Sequence, residues 1–160
     1  MTIVNFTVNT DISNWKIVDD LVMGGRSNGN FKIDSEGFGE YTGYISLKNN
    51  GGFSSLHYYF EALNTNNFSK FILKVKGDGK SYQFRVKDKR SNRYSYISKF
   101  NTTKDWQDVE IPFSEMHAAF RGYQLDIPNF KGDQMEEIAF LIGNKKEENF
   151  KLLIDHISLK

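Results

Sequence analysis

The chain contains no cysteine in 160 residues. Disulfides, thiolate metal sites and a cysteine nucleophile are excluded together. Only two prolines are present, so no proline-rich linker divides the chain. Charge of either sign is barely in excess: 21 Lys and Arg against 20 Asp and Glu leave a net +1. That balance gives no ground for a nucleic-acid partner or an anionic membrane surface. No apolar run is long enough to cross a bilayer. Residues 1–15 alternate polar and apolar, without the basic region and apolar run of a signal peptide. A soluble cytoplasmic protein is the expectation.

Signatures of catalysis are equally scarce. There is no G-x-x-x-x-G-K-[ST] phosphate cradle, and neither a G-x-S-x-G elbow nor a Ser/His/Asp order suggests acyl transfer. His57, His117 and His156 are scattered without metal-ligand spacing, so each is expected to be hydrogen-bonded or solvent-facing. Asp19, Asp20, Asp126 and Asp133 are available oxygen donors for Ca²⁺, but no D-x-[DN]-x-[DN]-G loop frames them. No metal and no cofactor is expected.

What the sequence has instead is aromatics, 14 Phe, 8 Tyr and 2 Trp, with 13 glycines between them. Aromatic and β-branched residues suit strands and fill the space between packed sheets. One domain over residues 1–160 buries roughly 70% of its unfolded surface. Period-2 runs recur along the chain. Tyr41, Gly43, Ile45 and Leu47 share one face of a strand. Phe53 to Phe60, Phe71 to Val75, Tyr82 to Val86, Tyr94 to Phe100 and Trp106 to Ile111 follow, with Pro112 ending the last or placing it at an edge. Ile138 to Ile142 and Phe150 to Leu159 close the series. The second is apolar on both faces and is expected in the centre of a sheet. Asn49-Asn50-Gly51-Gly52 and Gly77-Asp78-Gly79 read as hairpin turns, the latter joining the clearest hairpin in the chain. Ser114 to Phe120 reads as a single short helix capped by Ser114. About ten short strands with turns at regular spacing predict an all-β antiparallel β-sandwich of jelly-roll type.

The least generic stretch is Asp19-Asp20-Leu21-Val22-Met23-Gly24-Gly25-Arg26-Ser27. Asp19, Asp20 and Arg26 can line a groove, or form an ion-pair and turn knot that fixes a long connection. Met23 is either an adaptable exposed contact or a core plug. If the glycine bends lie beside this stretch, Asn50 and Asp78 complete a polar pocket with Arg26. Tyr58, Tyr59, Tyr94 and Tyr96 either fill the core or present rings that stack on sugars or anchor a partner.

Several segments together resemble the complex I intermediate-associated protein 30 family, a family of NADH:ubiquinone oxidoreductase assembly factors. They are Trp15 to Asp20, Val22-Met23-Gly24-Gly25-Arg26-Ser27, Asn49 to Ser55, Lys76 to Tyr82, Trp106 to Phe113, Phe120-Arg121-Gly122 and Phe150 to Ile157. The resemblance covers nearly the whole chain, in order. It implies a galactose-binding-like jelly roll and a non-enzymatic role, since mitochondrial members act as chaperones in building the membrane arm of complex I. Two departures stand out. No mitochondrial presequence or extra module is seen, and His57 stands where the family usually carries Arg. These point to a compact bacterial relative whose partner need not be complex I. The expected function is therefore protein–protein interaction, with a respiratory or membrane assembly as the expected setting. The alternative is a carbohydrate or small-ligand module, and a hydrolase ranks last. Candidate binding residues are Asp19, Asp20, Met23, Arg26, Asn50, His57 and Asp78.

Overall fold

The computed structural model describes residues 1–20, 27–48 and 51–160. Among these residues thirteen strands stack as two antiparallel sheets, a jelly-roll sandwich. The back sheet runs β3 (Asn28–Ile33), β4 (Gly39–Ile45), β13 (Glu148–Leu159), β6 (Lys70–Lys76), β9 (Trp106–Pro112). Short β1 (Thr2–Asn5) pairs with the end of β13 that β4 leaves free. The front sheet runs β11 (Tyr123–Gln124), β10 (His117–Phe120), β8 (Ser95–Asn101), β7 (Ser81–Lys87), β12 (Gln134–Ile142), β5 (Ser54–Asn64), β2 (Trp15–Asp19). Among the described residues no helix is long and apolar enough to cross a membrane.

Alternation along each strand builds the core. In β6, Phe71, Leu73 and Val75 point inward; in β7, Tyr82, Phe84 and Val86 do so from the opposite sheet. Rings meet across the gap, Phe71 edge-on to Phe84 with centroids 4.8 Å apart and Tyr82 edge-on to Phe150 at 6.5 Å. Such tilted pairs add about 0.5–1.5 kcal/mol beyond their buried area. Strands β12 and β13 take interior positions in their sheets, although the outward side of β13 carries Lys151, Asp155 and Ser158 and is not apolar as expected, and β9, ending at Pro112, lies at an edge.

Four expectations need correction. The clearest expected hairpin is not one, because β6 belongs to the back sheet and β7 to the front. The link through Gly77-Asp78-Gly79 crosses between layers. The link through Gly51-Gly52 likewise joins β4 in the back to β5 in the front. Alternation reveals which side chains face the core, but both sheets present a core face, and glycine serves a crossing as readily as a tight turn. The expected helix at Ser114 is a 3-10 turn over Phe113–Glu115 followed by strand β10, and Ser114 caps nothing. Phe113 and Met116 are buried there, and Ala118 and Ala119 pair with Tyr96 and Ser95 of β8, so sheet pairing overrides the helical spacing. Leu47 lies beyond β4 and is exposed.

Candidate functional site

Antiparallel alternation brings the ends of β2, β4, β6, β8 and β12 and the starts of β3, β5, β7, β9 and β13 to one end of the sandwich. Asp20, just past β2, is only 1% exposed there. Its Oδ2 accepts from Ser27 Oγ at 2.7 Å and from the amides of Gly52 and Phe53 at 2.5 and 3.2 Å. Its Oδ1 accepts from the Ser27 amide at 3.2 Å. Ser27 Oγ in turn accepts from the Ser46 amide at 2.9 Å. One carboxylate thus ties the exits of β2 and β4 to the entries of β3 and β5. Burial works to raise its pKa, but the Ser27 hydroxyl and the amides of Gly52, Phe53 and Ser27 outweigh it and hold Asp20 below the ordinary value of 3.8. A carboxylate depressed in the fold contributes stability that is complete above its unfolded value and is lost as pH falls through the folded one. Stability should therefore decline with acid below about pH 4, and Asp20→Asn should flatten that decline in urea titrations run across pH 2–5.

The other acidic candidates are engaged in the same way. Asp19 Oδ2 accepts from the Gly29 amide at 2.9 Å. Asp78 accepts from Tyr82 Oη at 3.1 Å and from the amides of Lys80 and Lys151 at 3.2 and 2.8 Å, with Lys80 Nζ at 3.4 Å. Asp20 and Asp78 anchor two separate knots at this end. Met23, Arg26 and Asn50 lie outside the described residues.

His57 leads elsewhere, to the outer face of the front sheet. Strand register sets Lys16, His57, Ala139, Arg85, Ile97 and His117 in one row across it. Tyr59, Glu137 and Lys87 form the row beside it. His57 Nδ1 lies 3.1 Å from Glu137 Oε2, and its Nε2 lies 2.8 Å from Ser55 Oγ. Arg85 sends Nε and Nη2 to Gln83 Oε1 at 3.0 and 2.7 Å. Burial brings the Arg85 pKa down to about 10 against the opposing pull of Glu137. Tyr59 lies parallel to His57, with Arg90 above its ring at 5.8 Å. Burial first, then the Glu137 charge, raises the Tyr59 phenol. Ile97, Ala119, Ala139 and Leu141 are buried yet stand apart from the central core, so this outer face is itself sheltered.

Ser55, His57 and Glu137 make contacts in the order that acyl-transfer triads use. Ser55 Oγ, however, donates to the Val18 carbonyl at 2.7 Å, and Ser55 is 2% exposed. The Val18 carbonyl thus competes with the imidazole for the one hydroxyl proton, and the oxygen is turned away from solvent. The strip is an ordered hydrogen-bonding surface. Of the four tyrosines considered, Tyr59 faces outward here. Tyr58 stacks on Trp15 at 4.5 Å, and Tyr94 packs edge-on against buried Tyr96. Sequence reasoning missed Arg85 and Glu137, which sit 80 or fewer positions from His57 on separate strands. The usable signal was Ala139 and Leu141, apolar at outward positions of β12. Among the described residues no group of three or more His, Asp or Glu is placed to hold a metal ion.

The solved structures most like this fold include carbohydrate-binding modules. The family 11 module from Clostridium thermocellum, in complex with a beta-1,3-1,4-mixed-linked tetrasaccharide, aligns with TM-score 0.68 at 19% identity, covering 95% of this chain and 91% of that one. The family 11 module of the C. thermocellum cellulase Lic26A-Cel5E aligns with TM-score 0.70 at 17% identity, covering 99% and 92%. At such identities the likeness is one of fold. In sequence, the mouse (Mus musculus) mitochondrial complex I intermediate-associated protein 30 is 25% identical over 182 aligned positions, covering 96% of this chain and 54% of that protein. The chain thus spans about half the length of that relative. The family model described as Complex I intermediate-associated protein 30 (CIA30) matches residues 4–154. The chain belongs to the complex I intermediate-associated protein 30 family.

Proposed function

We propose that this chain is a non-enzymatic binding domain that acts through a protein partner, in an assembly role of the kind its family resemblance implies. The observation that carries the reading is the outer face of the front sheet. There Arg85, Glu137, His57 and Tyr59 are half-buried or buried, mutually oriented and held by neighbours before any ligand arrives. Pre-ordered polar groups cost little further entropy on binding, and Tyr and Arg are the side chains that most often dominate protein interfaces.

The test is retention of the native partner by the purified domain. Tyr59→Ala should weaken capture by about 30-fold, equivalent to ~2 kcal/mol for an interface anchor. Lys74→Ala, on the outer face of the back sheet, should leave capture unchanged. Equal capture by all variants would sink the reading.

A second reading, carbohydrate binding, is favoured by the parallel rings of His57 and Tyr59, 8° apart beside hydrogen-bonding groups. A mixed-linked β-glucan tetrasaccharide at 100-fold its Kd would add ~2.7 kcal/mol to stability. An upward shift in Tm with that sugar, lost in Tyr59→Ala, would favour this reading over the first.

A further inference from the structure

The two outer faces differ in how their charges are matched. On the back sheet, lysines meet carboxylates: Lys32 and Lys151 each lie 3.4 Å from Glu40, Lys70 is 2.8 Å from Glu110 and Lys74 is 3.8 Å from Asp108. On the front, Lys16, Arg85 and Lys99 have no carboxylate within 4.0 Å among the described residues. Register places Lys99 beside Gln83, which holds Arg85. Beyond Lys99 the end of the sheet opens into a depression of about 530 Å³, lined also by Lys80, Lys145, Lys146 and Glu148, where Lys80 is paired with Asp78 at 3.4 Å and Lys146 with Glu148 at 3.8 Å. Arg85, Lys99 and Lys145 thus lie in series without a carboxylate within 4.0 Å among the described residues, in a chain of net charge +1.

The depression also carries one demand that a simple anion does not meet. The Glu148 side chain is 6% exposed. Its Oε2 accepts from Asn144 Nδ2 at 3.0 Å, whereas Oε1 is buried without a hydrogen-bond partner and has only Lys146 Nζ at 3.8 Å. A ligand seated there must bring negative charge for the lysines and a hydrogen-bond donor for Glu148. An acidic peptide brings both, carboxylates on its side chains and N–H groups on its backbone. From Arg85 to Ser81 the strand advances about 13 Å at ~3.3 Å per residue, so an extended segment of about five residues reaches from the guanidinium to the depression.

We infer that the protein partner of the proposed function engages this domain through an acidic, extended segment. The segment runs along the Arg85–Lys99 track of the front sheet and ends in the Lys145–Glu148 depression. The inference rests on the reading of the front face as the partner surface, and adds the chemistry of what lies on it. Charge complementarity of this type acts chiefly on encounter rate and specificity, and is screened by salt.

The experiment uses a fluorescein-labelled hexaglutamate peptide, its hexaglutamine counterpart and a heparin hexasaccharide, followed by fluorescence anisotropy on the whole chain. Hexaglutamate should bind, hexaglutamine should not, and affinity should fall on the order of tenfold as NaCl rises from about 50 to about 300 mM. The exposed pair Lys99→Glu/Lys145→Glu should fold normally and lose on the order of tenfold or more in affinity. The inference is overturned by absence of hexaglutamate binding, by binding indifferent to the charge reversals, or by the heparin hexasaccharide binding the track more tightly than the peptide. Native-partner capture separates the two levels. If Tyr59→Ala loses the partner while Lys99→Glu/Lys145→Glu keeps it, the face remains the partner surface and the acidic segment is wrong. If every front variant keeps the partner, the proposed function itself fails.

Discussion

Replacing Asp20 with alanine is expected to lower the free energy of unfolding by about 4 kcal/mol, among the largest single-residue effects in this protein. The carboxylate accepts four hydrogen bonds from Ser27, Gly52 and Phe53 while 1% exposed. Alanine removes the acceptor and leaves those donors facing a void, each orphaned donor costing roughly 1–3 kcal/mol when water cannot reach it. For a domain of this size that corresponds to a fall in Tm of about 10 °C. Asp20→Asn keeps one oxygen but turns an NH₂ group toward donors, so it should recover only part of the loss. Urea unfolding of the two variants beside the parent measures both steps. A loss below about 1 kcal/mol for Asp20→Ala would show that the knot is not what joins these strand ends.

Gly43→Ala should cost about 3 kcal/mol, near the upper end for overpacking. Gly43 in β4 faces Gly29 in β3, the one place where two glycines oppose each other in that pair. A Cβ at residue 43 would overlap the carbonyl oxygen of Asn28 and come within 2.9 Å of the Phe150 ring. Backbone cannot step aside as a flexible side chain can, so the β3–β4 pairing must open. Phe150 packs edge-on against Tyr41 with centroids 4.8 Å apart, so the displacement reaches the core. Calorimetry should record the lower Tm, and amide exchange should be fastest along Asn28–Ile33. Unchanged protection there would mean that the sheet absorbs the methyl group without separating.

These two positions also show which parts of the structure could be read from sequence. The alternating runs of β6 and β7 mark inward residues correctly because burial follows a period of two regardless of the partner strand. Pairing does not follow from that period. The runs on either side of Gly77-Asp78-Gly79 look like one hairpin and belong to different sheets, since a crossing link and a tight turn draw on the same residues. Asp20 stood out because it sits beside the glycine pair, yet its partners Gly52 and Phe53 lie 32 and 33 positions away. His57 was visible as a departure from the family pattern. Glu137 and Arg85, which give it a setting, were not, because charged residues at outward strand positions are ordinary until register puts them side by side. The lysine track is likewise a product of register: Lys16, Arg85 and Lys99 belong to three strands and share no motif.

The structural knots at the strand ends and the ordered front face divide the labour. Asp20 and Asp78 fix the links that cross between sheets, and this holds β2, β5, β7 and β12 in the register that assembles Lys16, His57, Glu137 and Arg85. Four lysines of the back face meet carboxylates, whereas Lys16, Arg85 and Lys99 of the front face have none within 4.0 Å among the described residues. Site-specific photo-crosslinking in the native cell tests this division most directly, with a benzophenone side chain placed once at Lys16 on the front and once at Lys74 on the back. The account predicts a discrete protein adduct from Lys16 and none from Lys74; an adduct from Lys74 with none from Lys16 would contradict it.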